Sequence, residues 1–279
     1  MREMKCQLEG ITVTYKVRGE GKPILMLHGW PLDHRHLLSE MEPLFEQRAG
    51  WKRIYPDLPG MGQTPAAEWI THQDQMLAVV LEFVDKVVPG ERLVLVGESY
   101  GGYLARGILH RRPRSIAGLL LTVPVIQARE EDRNLPPRVT VFEDRALLSE
   151  ADPGEAEAIQ EIAAVQDRAF LEWLRSDIFP AVECADQAFL TRLRENYAFT
   201  FDVDELEELF AAPTLMLMGR QDSVCGYRDA WDILEAYPRA TFAILDRAGH
   251  GLSVEQQNLF RALVDEWLDR VEEYALDIA

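Results

Sequence analysis

A serine placed where a strand turns into a helix is the first residue in this chain that could carry covalent chemistry. Ser99 is the centre of Gly-Glu-Ser-Tyr-Gly at residues 97–101, which follows the apolar run at residues 93–96 and precedes a helix-like segment. This arrangement is typical of a nucleophile elbow, in which a sharp turn exposes the hydroxyl group. Gly97 and Gly101 suit such a turn because they lack a Cβ.

A serine hydroxyl is a weak nucleophile, so it needs a base and a carboxylate that orients the base. Asp222 and His250 follow Ser99 in that order, each just past a predicted strand. His250 stands between two glycines, which favours an exposed loop. A helix N-cap is the alternative role for Asp222. The other histidines are assigned to loop shaping (His28) or to surface and helix positions (His34, His36, His72 and His110).

Two backbone N–H groups are candidates for an oxyanion hole. Tyr100 would lie at a helix N-terminus, where free N–H groups and the helix dipole favour negative charge. Trp30, in His-Gly-Trp-Pro at residues 28–31, follows a buried strand and would supply the second N–H. The Trp30 side chain is then expected to form a wall of the substrate pocket.

Eight predicted strands alternate with helices over residues 1–124 and 213–279. This alternation predicts a mostly parallel sheet covered by helices on both faces, with the strands' carboxyl ends along one edge. Residues 125–212 interrupt the pattern with five predicted helices and no strand. We therefore predict an α/β core of residues 1–124 and 213–279, and a helical cap of residues 125–212 over the active edge. The predicted cap helices span residues 144–149, 153–165, 168–179, 187–196 and 203–210.

Charge is distributed unevenly along the chain, whose formal net charge is −18. Residues 1–122 carry 15 basic and 14 acidic side chains, whereas residues 123–279 carry 14 and 33. A field of this sign disfavours nucleic acid and anionic membranes as partners. Three widely spaced cysteines and a start without a signal-peptide core predict a cytoplasmic protein without disulfides. We expect a monomer or homodimer with a small-molecule substrate, no cofactor and no metal.

Five separated motifs resemble those of the α/β-hydrolase superfamily over nearly the whole chain: HGWP at 28–31, DLPGMGQT at 57–64, GESYGG at 97–102, GRQD at 219–222 and AGHG at 248–251. The resemblance implies a Ser99–His250–Asp222 triad, oxyanion donors at Trp30 and Tyr100, a structural role for Asp57, and a cap that shapes the pocket. Serine at position 99 excludes the branches whose nucleophile is aspartate. Glu98 replaces the histidine more frequent before the serine, and the sequence leaves its role open.

The reaction predicted is acyl transfer to water through an acyl-enzyme, on a small, largely apolar carboxylic ester, thioester or lactone. Carbon–carbon bond hydrolysis and proline-iminopeptidase-like aminopeptidase action are the chemical alternatives, the latter because the acidic cap could hold an amine. A ligand receptor with a vestigial triad is the alternative of a different class. The predicted substrate-binding residues are Trp30, Val125, Trp173, Tyr197, Phe199, Phe201 and Leu252.

Overall fold

One eight-stranded sheet organises residues 2–277, the part of the chain that this computed structural model describes. The strands are β1 (Arg2–Leu8), β2 (Ile11–Arg18), β3 (Lys22–Leu27), β4 (Trp51–Pro56), β5 (Leu93–Glu98), β6 (Ile116–Thr122), β7 (Phe142–Glu143), β8 (Val165–Gln166), β9 (Thr214–Gly219) and β10 (Ala240–Leu245). All except β7 and β8 join the main sheet, in the order β1-β2-β4-β3-β5-β6-β9-β10.

The sheet is parallel from β4 to β10 along this order, and β2 pairs antiparallel with both β1 and β4. The β1–β2 hairpin turns at Gly10, whose positive φ of 74° suits a residue without a Cβ. The carboxyl ends of the parallel strands β3, β5, β9 and β10 therefore meet along one margin, where the predicted chemical residues follow them.

Strand β5 lies near the middle of the sheet, and all six of its residues are buried. Side chains of a strand point alternately to its two faces. Accordingly, Leu93 and Leu95 belong to one apolar layer and Val94 and Val96 to the other. This explains why the strand is continuously apolar instead of alternating, as expected for a sheet covered on both sides.

Helices cover both faces of the sheet. Helices α2 and α3 contribute to the layer that contains Leu95, and α1 and α11 contribute to the layer that contains Val94. The helices are α1 (His34–Met41), α2 (Gln73–Val87), α3 (Tyr100–Arg111), α4 (Arg145–Glu150), α5 (Pro153–Ile162), α6 (Arg168–Trp173), α7 (Phe179–Cys184), α8 (Gln187–Arg194), α9 (Arg228–Asp232), α10 (Leu252–Glu255) and α11 (Gln257–Asp277). Among the described residues, no helix combines the length and the apolar character needed to cross a bilayer.

The stretch between β6 and β9, here called the cap (residues 125–212), contains α4 to α8. A small apolar cluster centred on Ile159, Phe170 and Leu174 joins α4 to α7, whereas the buried side chains of α8 pack into the apolar layer that contains Leu95. The cap is tied to the rest of the chain by polar groups as well. The buried Arg106 of α3 donates to the Val125 carbonyl oxygen at 2.7 Å and forms an ion pair with Asp204. One cationic side chain thus holds both ends of the cap.

Local predictions differ from the structure in three places. Two-residue strands β7 and β8 pair within the cap, where no strand was predicted, because elements this short leave no periodic pattern. Residues 203–210 form turns instead of a helix, since Asp204 is held by Arg106 and its own N–H bonds the Asp202 side chain. The helix predicted at residues 168–179 is divided into α6 and α7, with the wider π-helical turn Leu174–Ile178 between them.

Candidate active site

Ser99 stands at the tip of a strained turn between β5 and α3. Its φ of 51° is unusual for a residue with a side chain, and only Val123 shares a positive φ among the described non-glycine residues. The turn closes because its neighbours are glycines. A Cβ on Gly101 would overlap the Leu27 carbonyl oxygen, and one on Gly97 would overlap the backbone of Gly101. The hydroxyl group is thereby fixed at the carboxyl margin of the sheet.

His250 reaches Ser99 from the loop after β10, across a sequence separation of 151 residues. Its Nε2 lies 3.1 Å from Ser99 Oγ, within hydrogen-bonding distance. Its Nδ1 lies 3.2 and 3.1 Å from the two carboxylate oxygens of Asp222. The structure therefore brings the predicted alcohol, imidazole and carboxylate into one hydrogen-bonded chain.

Asp222 is fully buried in the turn after β9. Its Oδ1 accepts hydrogen bonds from the N–H groups of Val224, at 2.8 Å, and Cys225, at 3.1 Å. Burial opposes ionisation, but the nearby imidazole and these donors outweigh it and lower the pKa of Asp222. The same pairing acts on His250: burial lowers its pKa, while Asp222 and Glu98 raise it above the ordinary value. Asp222 is thus suited to orient the imidazole and to stabilise its protonated form.

The two N–H groups predicted to bind an oxyanion are free of protein acceptors. Tyr100 is the first residue of the 12-residue helix α3, where backbone N–H groups have no partner within the helix. Trp30 follows β3, adjacent to Gly29, which packs against the elbow. Among hydrogen bonds between described residues, neither the Trp30 nor the Tyr100 N–H donates one.

A cavity of about 950 Å³ opens above Ser99 and His250. Its apolar wall is largely aromatic. Trp30 and Tyr197 pack edge to face with their ring centroids 5.6 Å apart, and Tyr197 stacks on Tyr103. Five of the seven predicted substrate-binding residues border this cavity: Trp30, Val125, Trp173, Tyr197 and Phe199.

The other two predicted substrate-binding residues do not border the cavity. Phe201 stacks between Phe199 and His110, beneath the guanidinium of Arg111, on the outer side of the aromatic row. Leu252 begins α10 and is completely buried in the apolar layer to which α11 contributes. The prediction that Phe201 and Leu252 bind substrate is therefore wrong, because an apolar residue near a motif in sequence can face the core instead of the cavity.

Three charged residues around the site were not assigned a role from the sequence. Glu98 and His36 are buried and border the cavity, and His36 lies on α1, one of the two kinds of position expected for it. His36 is on α1 and Glu98 ends β5, and nothing in the sequence indicates that these two side chains lie close together.

Glu255 joins the cap to the loop that carries His250. Its Oε1 accepts from the N–H groups of Ala164 and Val165, at 2.6 and 2.8 Å, and its Oε2 accepts from Gly249 at 2.6 Å. Burial raises the pKa of Glu255 to about 7 against the opposing effect of these three donors. No sequence motif marks this residue.

Cys225 lies close to the nucleophile but is not activated. Its Sγ is 4.0 Å from Ser99 Oγ, and burial raises the pKa of the thiol. A reactive cysteine requires the thiolate, which this environment disfavours.

Comparisons with known proteins agree with this geometry. A family model described as serine aminopeptidase, S33, matches residues 24–257. The AB hydrolase superfamily protein YisY of Bacillus subtilis (strain 168) is 25% identical over 93% of this chain and 96% of its own length. A pimeloyl-[acyl-carrier protein] methyl ester esterase of Shewanella sp. (strain MR-7) is 28% identical over 90% of this chain and 92% of its own.

Among solved structures, an α/β superfamily hydrolase from Oenococcus oeni PSU-1 superimposes with a TM-score of 0.86 at 27% identity, covering 98% of this chain and 100% of that one. The fold predicted from the five motifs is confirmed. The chain belongs to the serine aminopeptidase S33 family of the α/β-hydrolase superfamily.

Proposed function

We propose that this protein is a serine esterase that hydrolyses a small, largely apolar carboxylic ester, thioester or lactone through an acyl-enzyme. The observation that carries the proposal is the continuous contact Ser99–His250–Asp222 at the floor of the cavity. Nucleophile, base and orienting carboxylate each lie within hydrogen-bonding distance of the next, which is the geometry that nucleophilic catalysis requires.

In the acylation step, His250 Nε2 accepts the Ser99 proton while Oγ attacks the carbonyl carbon. Negative charge develops on the carbonyl oxygen, which the N–H groups of Trp30 and Tyr100 bind. Such a donor typically contributes about 3 kcal/mol to lowering the barrier. The His250 imidazolium then protonates the leaving group. Water repeats the sequence on the acyl-enzyme and regenerates Ser99.

The lining of the cavity suits a substrate with an apolar acyl or alcohol group. Its apolar wall combines Trp30 with the cap residues Val125, Ile178, Val182 and Phe199, and apolar walls of this kind suit small apolar groups. The curated relatives named as methyl ester esterases support ester hydrolysis as the bond type. We therefore place methyl and p-nitrophenyl esters of unbranched acids first among candidate substrates.

The test is a panel of p-nitrophenyl and methyl esters of increasing acyl length, assayed with the native protein and Ser99→Ala. We expect turnover that depends on chain length and falls by at least about 1,000-fold in Ser99→Ala. A fluorophosphonate probe should label Ser99, as located by mass spectrometry. Activity that survives in Ser99→Ala, or labelling at Cys225 alone, would contradict the proposal.

Aminopeptidase action is a second candidate because carboxylates border the cavity. Glu130, Glu131 and Glu195 lie at its rim, where they could pair with a substrate ammonium group, although Arg194 already pairs with Glu130 at 3.1 Å. Turnover of L-prolyl p-nitroanilide at a higher kcat/KM than any ester would favour this candidate. The same measurement with an N-acetylated substrate distinguishes a required amine from general amide cleavage.

A further inference from the structure

Glu98 is a buried carboxylate beside the nucleophile with one oxygen that no protein group binds. Its Oε1 lies 3.8 Å from His250 Nε2, the nitrogen that also faces Ser99 Oγ. Its Oε2 has no hydrogen-bond partner among the described residues. The side chain borders the main cavity, although Glu98 is only 5% exposed. Oε1 accepts no hydrogen bond from a described residue either, and it is the oxygen nearer to His250. A buried carboxylate without hydrogen-bond donors is costly, so Glu98 calls for a hydrogen-bonding ligand.

A buried cation compensates the charge of Glu98. His36 Nδ1 lies 3.5 Å from Glu98 Oε2, and its Nε2 lies 2.8 Å from Glu40 Oε1. Burial lowers the pKa of His36, but the two carboxylates outweigh it and raise that pKa to about 9. The imidazole is therefore positively charged at neutral pH. Burial raises the pKa of Glu98 above its ordinary value, and the positive charge of His36 opposes that rise.

The hydrolytic half of the proposed reaction needs a water molecule with both hydrogens directed. One hydrogen must point to His250 Nε2, which removes it as the oxygen attacks the acyl carbon. The second hydrogen stays on the oxygen and needs an acceptor. Two acceptors 3.8 Å apart can both bind one water at the usual O–H···O and O–H···N lengths of about 2.8 Å. Glu98 Oε1 and His250 Nε2 meet this condition.

We propose that Glu98 binds the deacylating water together with His250 and orients it toward the acyl group on Ser99; this inference rests on the proposed acyl-enzyme. In the step, the water oxygen forms a bond to the acyl carbon and His250 Nε2 takes one of its protons. The tetrahedral intermediate then collapses: the bond to Ser99 Oγ breaks, and Oγ takes the proton from His250. Glu98 accepts a hydrogen bond throughout and exchanges no proton.

This assignment predicts a difference between water and methanol as acyl acceptors. Methanol has one hydroxyl hydrogen, which His250 must take, so it offers nothing to Glu98. The experiment follows p-nitrophenyl butyrate in buffer with a fixed methanol concentration and measures butyric acid against methyl butyrate. Since both products arise from the same acyl-enzyme, their ratio is independent of the acylation rate and of the fraction of molecules that are folded.

Glu98→Ala removes the acceptor, and we expect the acid-to-ester ratio to fall by roughly tenfold or more, as for a lost hydrogen bond to a charged group. Glu98→Gln keeps the shape with a weaker acceptor and should give an intermediate ratio. Glu40→Gln is the matched control, because it changes the charge facing His36 without approaching His250. Its ratio should stay within about twofold of the native value.

An unchanged ratio in Glu98→Ala would overturn the inference, and so would an equal fall in Glu40→Gln, which would mean that Glu98 acts through the buried charges and not through the water. These outcomes leave the proposed esterase intact as long as the native protein forms both products through Ser99. Absence of any Ser99-dependent product from the native protein would overturn the proposed function, and the inference with it.

Discussion

The carboxyl margin of the sheet and the cap both border the cavity, but they are held in place by different means. At the margin, backbone geometry fixes the residues: the adjacent parallel strands β5, β6, β9 and β10 end along one edge, and Gly101 packs directly on the Leu27 carbonyl. The cap is joined through side chains: Phe189 and Leu190 of α8 pack into the main apolar layer, and Arg106 and Glu255 add polar contacts. The three candidate catalytic residues therefore lie on elements fixed by backbone geometry, whereas much of the cavity wall lies on the cap.

The largest effect is expected when the ion pair that holds both ends of the cap is broken. Arg106→Leu leaves Asp204 and the Val125 carbonyl without their buried partner, which should lower the free energy of unfolding by about 3–5 kcal/mol. Urea denaturation measures the loss. The control is Arg112→Leu, whose pair with Asp85 is partly exposed and should cost about 1 kcal/mol or less. Equal losses in the two variants would mean that the cap does not depend on this contact.

Because the margin is tightly packed, a substitution that displaces the turn at Ser99 should lower activity. In Gly101→Ala the new methyl group overlaps the Leu27 carbonyl, so the elbow must shift. Displacement of about 1 Å can cost 100-fold, and we expect esterase activity to fall at least that far. Gly154→Ala, in α5 of the cap, meets nothing within 4 Å and should leave activity unchanged. Similar kcat/KM values for the two alanine variants would refute the contrast between the regions.

Glu255 is the point where the two regions meet, so its substitution should affect both. In Glu255→Gln, an amide nitrogen faces one of the N–H donors and a hydrogen bond is lost. We expect the free energy of unfolding to fall by about 1–3 kcal/mol and kcat to fall severalfold through displacement of the His250 loop. Thermal melting and esterase kinetics test this. Unchanged kcat with lowered stability would confine the role of Glu255 to the cap.

The smallest effect concerns the pH dependence of the reaction. Only neutral His250 can act as a base, so activity should increase as pH rises through the pKa of His250. Because Asp222 and Glu98 raise that pKa, the midpoint of the acid limb of kcat/KM should lie above the ordinary value of about 6.5. Glu98→Gln should lower the midpoint, whereas Glu150→Gln, an exposed cap substitution, should leave it in place. A shift of equal size in both variants would show that overall charge, and not the local pair, sets the pKa.

The margin could be predicted well from the sequence because its rules are local. An apolar run that ends in Gly-x-Ser-x-Gly indicates a strand, a turn and an exposed hydroxyl together, and the order of Asp222 and His250 follows the order of the strands. The interior of the cavity was predicted less well. Phe201 and Leu252 are apolar residues close to the motifs, yet local sequence does not tell a pocket wall from a core position, and both face away.

The sequence by itself determined the parallel sheet, the helical interruption after β6 and the serine, histidine and aspartate that meet at the margin, since periodicity and turn chemistry act over a few residues. Tertiary structure alone decided that Glu98 meets His36, that Glu255 joins the His250 loop to the cap, and that Arg106 holds both ends of the cap. The partners in these contacts lie far apart in the chain or on different elements. Burial makes such polar contacts necessary, because a charged group removed from water must find its partner wherever the fold places one.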